Sequence, residues 1–258
     1  MGQYNMRRLI FIILIFCLTA GISRALTLAD EDLNYKIMYK WGLVNTQAGR
    51  ATLSLRNNGN NYHATLIARS EPWADRIYKV RDTLLSDMTH DIIPLRYEKI
   101  AHEDGKYTND IIEYTLSNNE YIGSCTRHRQ KGDDKPMTTE QLTLQATGPT
   151  VDMLSVFYYL RTLDFPNMKA GESNTINIFS GKKKELLRIK YNGFKSVKVD
   201  GKIYYTYHVS FRFTTDDGKK SSDDIESWIS ADANRIPIKL EGNLPVGKIR
   251  CLYIENKK

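Results

Sequence analysis

The sequence is short of the residues that small-molecule chemistry usually gathers. It has three cysteines in 258 residues, and one of these, Cys17, sits inside an N-terminal apolar run. No four-cysteine zinc site or dense disulfide framework can be built from the rest. The five histidines, His63, His90, His102, His128 and His208, are scattered, and no H-E-x-x-H occurs. Cys125 and His128 form a lone C-x-x-H whose two positions point to opposite faces of a strand. There is no G-x-S-x-G, and Ser155 falls within a helical pattern, where a serine more often bonds back to a carbonyl. The 16 glycines are spread among turns, with no phosphate-cradling loop. The acidic stretch TTDDGKKSSDDIE (214–226) lacks EF-hand spacing and reads as a solvated turn. The expectation is no metal and no cofactor.

Nucleic acid is excluded on charge. The chain carries 37 Lys+Arg against 30 Asp+Glu, but its densest cluster, GKKKE (181–185), is short and has no interleaved aromatics. Long apolar runs are absent too. Leu9 to Leu18 falls well short of the roughly 20 residues that cross a bilayer. With Arg7 and Arg8 before it and Ser23-x-Ala25 after it, this run is laid out as a secretory signal peptide cut after Ala25. Cys17 follows Phe16 rather than a small residue, so lipidation there is not expected. Without Arg7, Arg8 and Arg24 the mature chain keeps 34 basic residues against 30 acidic ones and has no transmembrane segment. Cys125 and Cys251 survive cleavage and in an oxidising compartment could pair, or stand apart as small apolar strand residues.

What the chain does contain is strand pattern. LNYKIMYKW (33–41) alternates, and ATLSLR (51–56) and HATLIAR (63–69) flank the turn NNGNN. Asp104-Gly105, Asp200-Gly201 and Asp217-Gly218 are hairpin signals, and a further turn falls at Ser117–Asn119. One segment breaks the pattern. TVDMLSVFYYLRTLDF (150–165) predicts a helix over 151–163, with Thr150 as N-cap, Asp152 in the first turn and Pro166 ending it. Leu154, Phe157, Tyr158 and Leu160 are expected to pack on the sheet, leaving a narrow polar stripe of Asp152, Ser155, Tyr159 and Thr162. A helix apolar on more than one side should be gripped on two. The expected fold is mainly β: a large curved antiparallel sheet (meander, half-barrel or incomplete barrel) with one buried α-helix packed against it. Residues 26–258 read as a single β-rich domain, with a possible subdivision near 130–150.

The segments D-x-x-S-x-x-Y-Y-L-R (152–161), W-I-S-A-D-x-x-R-I-P-I-K (228–239) and G-K-I (247–249), together with YKWGLVNTQAGRATLSL (39–55), resemble exported bacterial proteins of domain-of-unknown-function family 3108. The resemblance implies a periplasmic, β-rich fold with a large curved sheet, and brings no activity or catalytic residues with it.

Candidate site residues are therefore read from side-chain type. Trp41, Trp73, Tyr158 and Arg161 are the candidates for lining a ligand groove. Arg161 shares a helical face with Leu154, Phe157 and Tyr158. It either complements the helix dipole or is buried against a strand carboxylate, with Asp82 or Glu226 as the acid. The favoured function is non-enzymatic binding of an apolar or envelope-derived ligand: a lipid, an acyl chain or another envelope component. The alternative is an envelope hydrolase for glycan or peptide, working through Asp75, Asp82, Glu98, Glu113 or Glu226. A purely structural module would show no pocket at all.

Overall fold

The computed structural model describes residues 28–215, 218–219, 224–244 and 246–255. The leader, Cys17 and the cut after Ala25 lie outside the described residues, as does Asp217. Eight strands follow one another as neighbours: β1 (Glu31–Trp41), β2 (Val44–Asn57), β3 (Tyr62–Ser70), β4 (Val80–Met88), β5 (Pro94–Glu103), β6 (Lys106–Ser117), β7 (Glu120–Gln130) and β8 (Thr138–Thr147). Seven more follow: β9 (Thr150–Asp152), β10 (Ser173–Phe179), β11 (Lys184–Val199), β12 (Lys202–Thr214), β13 (Ile225–Ser230), β14 (Pro237–Asn243) and β15 (Lys248–Ile254). All fifteen form one sheet in the order 8-7-6-5-4-3-2-1-15-14-13-12-11-10-9. Its ladders are antiparallel except for the short parallel pairing of β9 with β10.

Local chemistry explains the hairpins. Asp104 and Gly105 (φ +49° and +75°) and Asp200 and Gly201 (φ +50° and +84°) take the paired positive φ of a two-residue turn that matches strand twist. Asn118 and Asn119 (φ +51° and +63°) do the same without glycine. Four register shifts, between β1 and β2, β4 and β5, β11 and β12, and β13 and β14, insert extra residues that bend the sheet. The sheet curls until its two ends almost meet. Asn177 on β10 donates from its backbone N–H to the Pro149 carbonyl (3.0 Å) and from its amide to the Thr147 carbonyl (3.0 Å). The result is a nearly closed barrel.

The helix, α1 (Ser155–Thr162), is shorter than the sequence pattern predicts, because Thr150–Asp152 pairs with β10 instead. The capping residue is correspondingly Asp152, not Thr150. Its Oδ1 accepts from the N–H groups of Leu154 and Ser155 (both 2.7 Å), while Ser155 Oγ accepts from the Asp152 N–H (2.9 Å). Ser86 on β4 donates to Asp152 Oδ2 at 2.7 Å. Asp152 and Ser155 are fully buried, so the expected polar stripe does not face water as a whole. Its buried half caps the helix.

α1 is indeed gripped on two sides. Leu154 and Tyr158 join Leu33, Leu55, Tyr62 and Tyr97 in one apolar cluster; Val156, Leu160 and Leu163 join Ile178, Leu187, Ile189 and Val209 in a second. Phe157 is only partly buried and touches both. The helix thereby fills the barrel at the end where β1 begins and β2 finishes. Tyr158 donates its hydroxyl to the Ser54 carbonyl there at 3.2 Å.

Candidate functional site

The other end of the barrel is built differently. Along β1 the inward-facing residues lose cover step by step: Leu33 and Tyr35 are buried, whereas Trp41, on the same side of the strand, is 59% exposed. Trp41 opens a turn, Gly42-Leu43, whose tip is apolar where turns are usually polar. Leu43 projects wholly into solvent and Val44 follows it. On one side lies the β14–β15 turn, with Leu244 and Val246 exposed. Tyr39 donates its hydroxyl to the Val246 carbonyl (3.1 Å), and any side chain at Gly247 would collide with the Lys40 carbonyl. On the other side the β3–β4 connection exposes Trp73, Ile77 and Tyr78. Trp73 Nε1 donates to the Gln47 carbonyl on β2 at 2.8 Å, pinning that loop beside the first turn.

Three neighbouring connections thus form one apolar rim. Its electrostatic surplus is positive. Glu71 is taken by Arg50 (3.0 Å), Asp75 by Arg81 (2.6 Å) and Glu241 by Lys239 and Lys248 (2.8 and 3.4 Å). Lys40, Arg69, Arg76 and Lys79 are exposed beside the apolar tips and make no ion pair among the described residues; Asp104 is the acid left over nearby.

The four candidate residues therefore divide. Trp41 and Trp73 both stand on this rim. Tyr158 and Arg161 lie at the opposite end, where both are buried. Arg161 is bound by a strand carboxylate, but the acid is Glu31, the first residue of β1, rather than Asp82 or Glu226. It also donates to the Asn234 carbonyl (3.1 and 2.7 Å) in the β13–β14 turn. From the same turn Arg235 donates to the carbonyls of Arg161 (2.8 Å) and Leu163, closing the helix C-terminus. Asp232 shapes this turn by accepting from Ser230 Oγ and from the N–H groups of Asn234 and Arg235. The residues of D-x-x-S-x-x-Y-Y-L-R and S-A-D-x-x-R thus meet as one structural bolt.

The candidate carboxylates are dispersed. Asp75 is held below its ordinary range by Arg81 and Ser70. Glu98 and Glu113 share Arg96 (2.6 and 3.0 Å), and Glu226 lies 3.6 Å from His208. Asp82 is the exception. Burial lifts its carboxyl to about 6; Lys99, 3.9 Å away, pulls it down, and the negative charge of Glu103 pushes it up. Asp82 Oδ1 is buried with no hydrogen-bond partner among the described residues. The two cysteines among the described residues are free, Cys125 on β7 donating to the Gly181 carbonyl at 2.8 Å and Cys251 lying on β15. Among the described residues no group of three or more His, Cys, Asp or Glu side chains is placed to hold a metal, and no helix is long and apolar enough to cross a membrane.

The sequence matches the family described as "Protein of unknown function (DUF3108)" over residues 34–252. Among solved structures, the fold is similar to a beta-barrel-like protein of domain of unknown function DUF1849 from Brucella abortus. The TM-score is 0.60 at 12% identity, covering 88% of this chain and 97% of that one. At that identity the likeness concerns the fold alone. No curated protein matches.

Proposed function

This chain belongs to the DUF3108 family, whose description carries no activity, and from its own geometry we propose that it is an exported, non-enzymatic protein that docks its apolar rim on an anionic lipid surface. One observation carries the reading: Trp41, Leu43, Val44, Trp73, Ile77, Tyr78, Leu244 and Val246 are all exposed on three adjacent strand connections. Large apolar side chains concentrated in this way on a soluble surface mark an interaction site. Trp and Tyr suit the headgroup boundary, and each nearby Lys or Arg adds about 1 kcal/mol at an anionic surface. Lys40, Arg69, Arg76 and Lys79 supply that charge.

Trp41 and Trp73 are then the binding residues, while Tyr158 and Arg161 build the closed end. Lipid as partner fits this surface better than an acyl chain held inside, since α1 and its two clusters occupy the interior at the helix end. Arg7 to Ala25 supports delivery to the periplasm, where 26–258 would act as one unit. The hydrolase alternative draws less support, because Asp75, Asp82, Glu98, Glu113 and Glu226 each lie against a basic side chain.

Co-sedimentation with phosphatidylglycerol and phosphatidylcholine vesicles tests the reading. Binding should favour phosphatidylglycerol, weaken with salt, and be lost in the Leu43→Ser, Ile77→Ser, Val246→Ser variant. Absence of binding, or equal binding by that variant, overturns it. A concentration-dependent dimer abolished by the same substitutions would reassign the rim to a second copy of the chain.

A further inference from the structure

Away from the rim, the outer face of β11 and β12 holds a groove of about 280 Å³ whose lining includes Arg188, Lys190, Ser210, Phe211, Arg212 and Asp224. Its charge is unusual. Arg188 and Arg212 stand directly opposite each other in register, and Lys190 faces Ser210 one step along the same face. Like charges directly opposed across strands repel. Among the described residues lining the groove the one carboxylate is Asp224, engaged by Arg212 (2.9 and 2.6 Å). Arg188 is oriented rather than neutralised: its Nε and Nη2 both donate to Ser173 Oγ on β10 (3.1 and 3.0 Å), which leaves Nη1 directed elsewhere. Lys190 makes no ion pair among the described residues. Ser210 Oγ accepts from Asn192 (3.1 Å), so its own O–H remains a donor.

Among the described residues, three cations and a hydroxyl donor therefore line one small concavity with one carboxylate, and Glu226 stands beside it opposite Ser210. An arginine held by one edge presents its remaining N–H groups in the planar fork that suits an oxyanion, and a lysine beside it adds a point charge. The groove is below the usual size of a drug-like pocket. We propose that it binds a phosphate-type oxyanion, either free or as the monoester end of a larger envelope molecule. A bound oxyanion would lie between the opposed Arg188 and Arg212 and screen their like charges. This does not depend on the rim reading, since both probes below are soluble and β12 and β11 lie four and five strands from β1.

The test is calorimetric titration of the purified mature chain with inorganic phosphate and with glycerol 1-phosphate, with acetate as the control anion. Saturable binding of phosphate or its ester but not acetate is expected. Binding should be about tenfold weaker in Arg188→Gln and in Lys190→Gln, since each removes a charged hydrogen-bonding partner. Lys198→Gln, further along β11, should bind normally. Arg188→Gln should also melt at or above the wild type, because it removes a like-charge neighbour. Binding of the ester alone would assign an organic ligand; binding of both would assign the oxyanion itself. No saturable heat at millimolar ligand, or equal affinity in Arg188→Gln, overturns the proposal.

Discussion

Arg161, in the last turn of the buried helix, and Glu31, at the start of β1, grip each other across 130 positions of sequence, the Arg161 Nη2 donating to Glu31 Oε2 at 3.1 Å. The guanidinium is almost wholly enclosed, stands over the Tyr158 ring and spends further N–H groups on the Asn234 carbonyl. A charge this enclosed is tolerable only with its partners in place.

Removing one member should therefore cost more than removing both. Arg161→Met should destabilise the protein by about 3 kcal/mol or more, because it strands the Glu31 carboxylate. Adding Glu31→Gln should recover part of that loss. Urea unfolding of the two single variants and the double variant gives the coupling; strictly additive losses would mean that the two side chains do not depend on each other.

The helix is unevenly buried, and truncations should reflect it. Leu154 is fully buried, so Leu154→Ala should cost about 2–5 kcal/mol. Phe157, only partly buried, should cost less on truncation than the about 3–5 kcal/mol usual for an enclosed phenylalanine. Chemical denaturation ranks the pair, and a larger loss at Phe157 would contradict the packing described.

Asp82 gives the stability a sign with pH. Its carboxyl sits at about 6 in the fold against an ordinary 3.8. The folded state therefore holds this proton more tightly, a contribution fully present below about pH 4 and lost as pH rises through about 6. Asp82→Asn keeps the size of the side chain and cannot ionise. Its melting temperature relative to wild type should rise between pH 4 and pH 8 in differential scanning fluorimetry. A constant difference would show that Asp82 ionises normally.

Both thiols should be sluggish. Burial pushes Cys125 and Cys251 up to about 11, leaving little thiolate at pH 8. A disulfide-exchange reagent should label neither quickly in the folded protein and both in denaturant. Rapid native labelling of Cys125 would mean that the β10–β11 turn over it opens readily.

The parts legible in the sequence were those decided locally. Asp104-Gly105, Asp200-Gly201 and the alternation of β1 need only their own backbone preferences to declare a hairpin or a face. The helix was visible through its apolar excess, but its start was not. Thr150 and Asp152 are both good caps, and the choice fell to Ser86 and to the pairing of β9 with β10, neither of which is local. The same holds for Arg161: the sequence leaves dipole pairing and burial against a strand carboxylate both open, and the acid that decides it, Glu31, lies in a distant strand. The apolar tip Trp41-Gly42-Leu43-Val44 is plain in the sequence, yet nothing local says that Ile77 and Val246 stand beside it.

The strand order also bears on how the chain reaches this fold. Every ladder joins consecutive strands except one, that between β1 and β15, whose partners such as Asn34 and Ile254 come from opposite ends of the described chain. Folding speed falls as contacts become less local, so this single seam is the expected slow closure between two halves that can each form hairpin by hairpin. A circular permutant, cut at Gly148-Pro149 and joined from the end of β15 to the start of β1, would make every ladder sequential. It should refold faster than the natural order while keeping the same barrel.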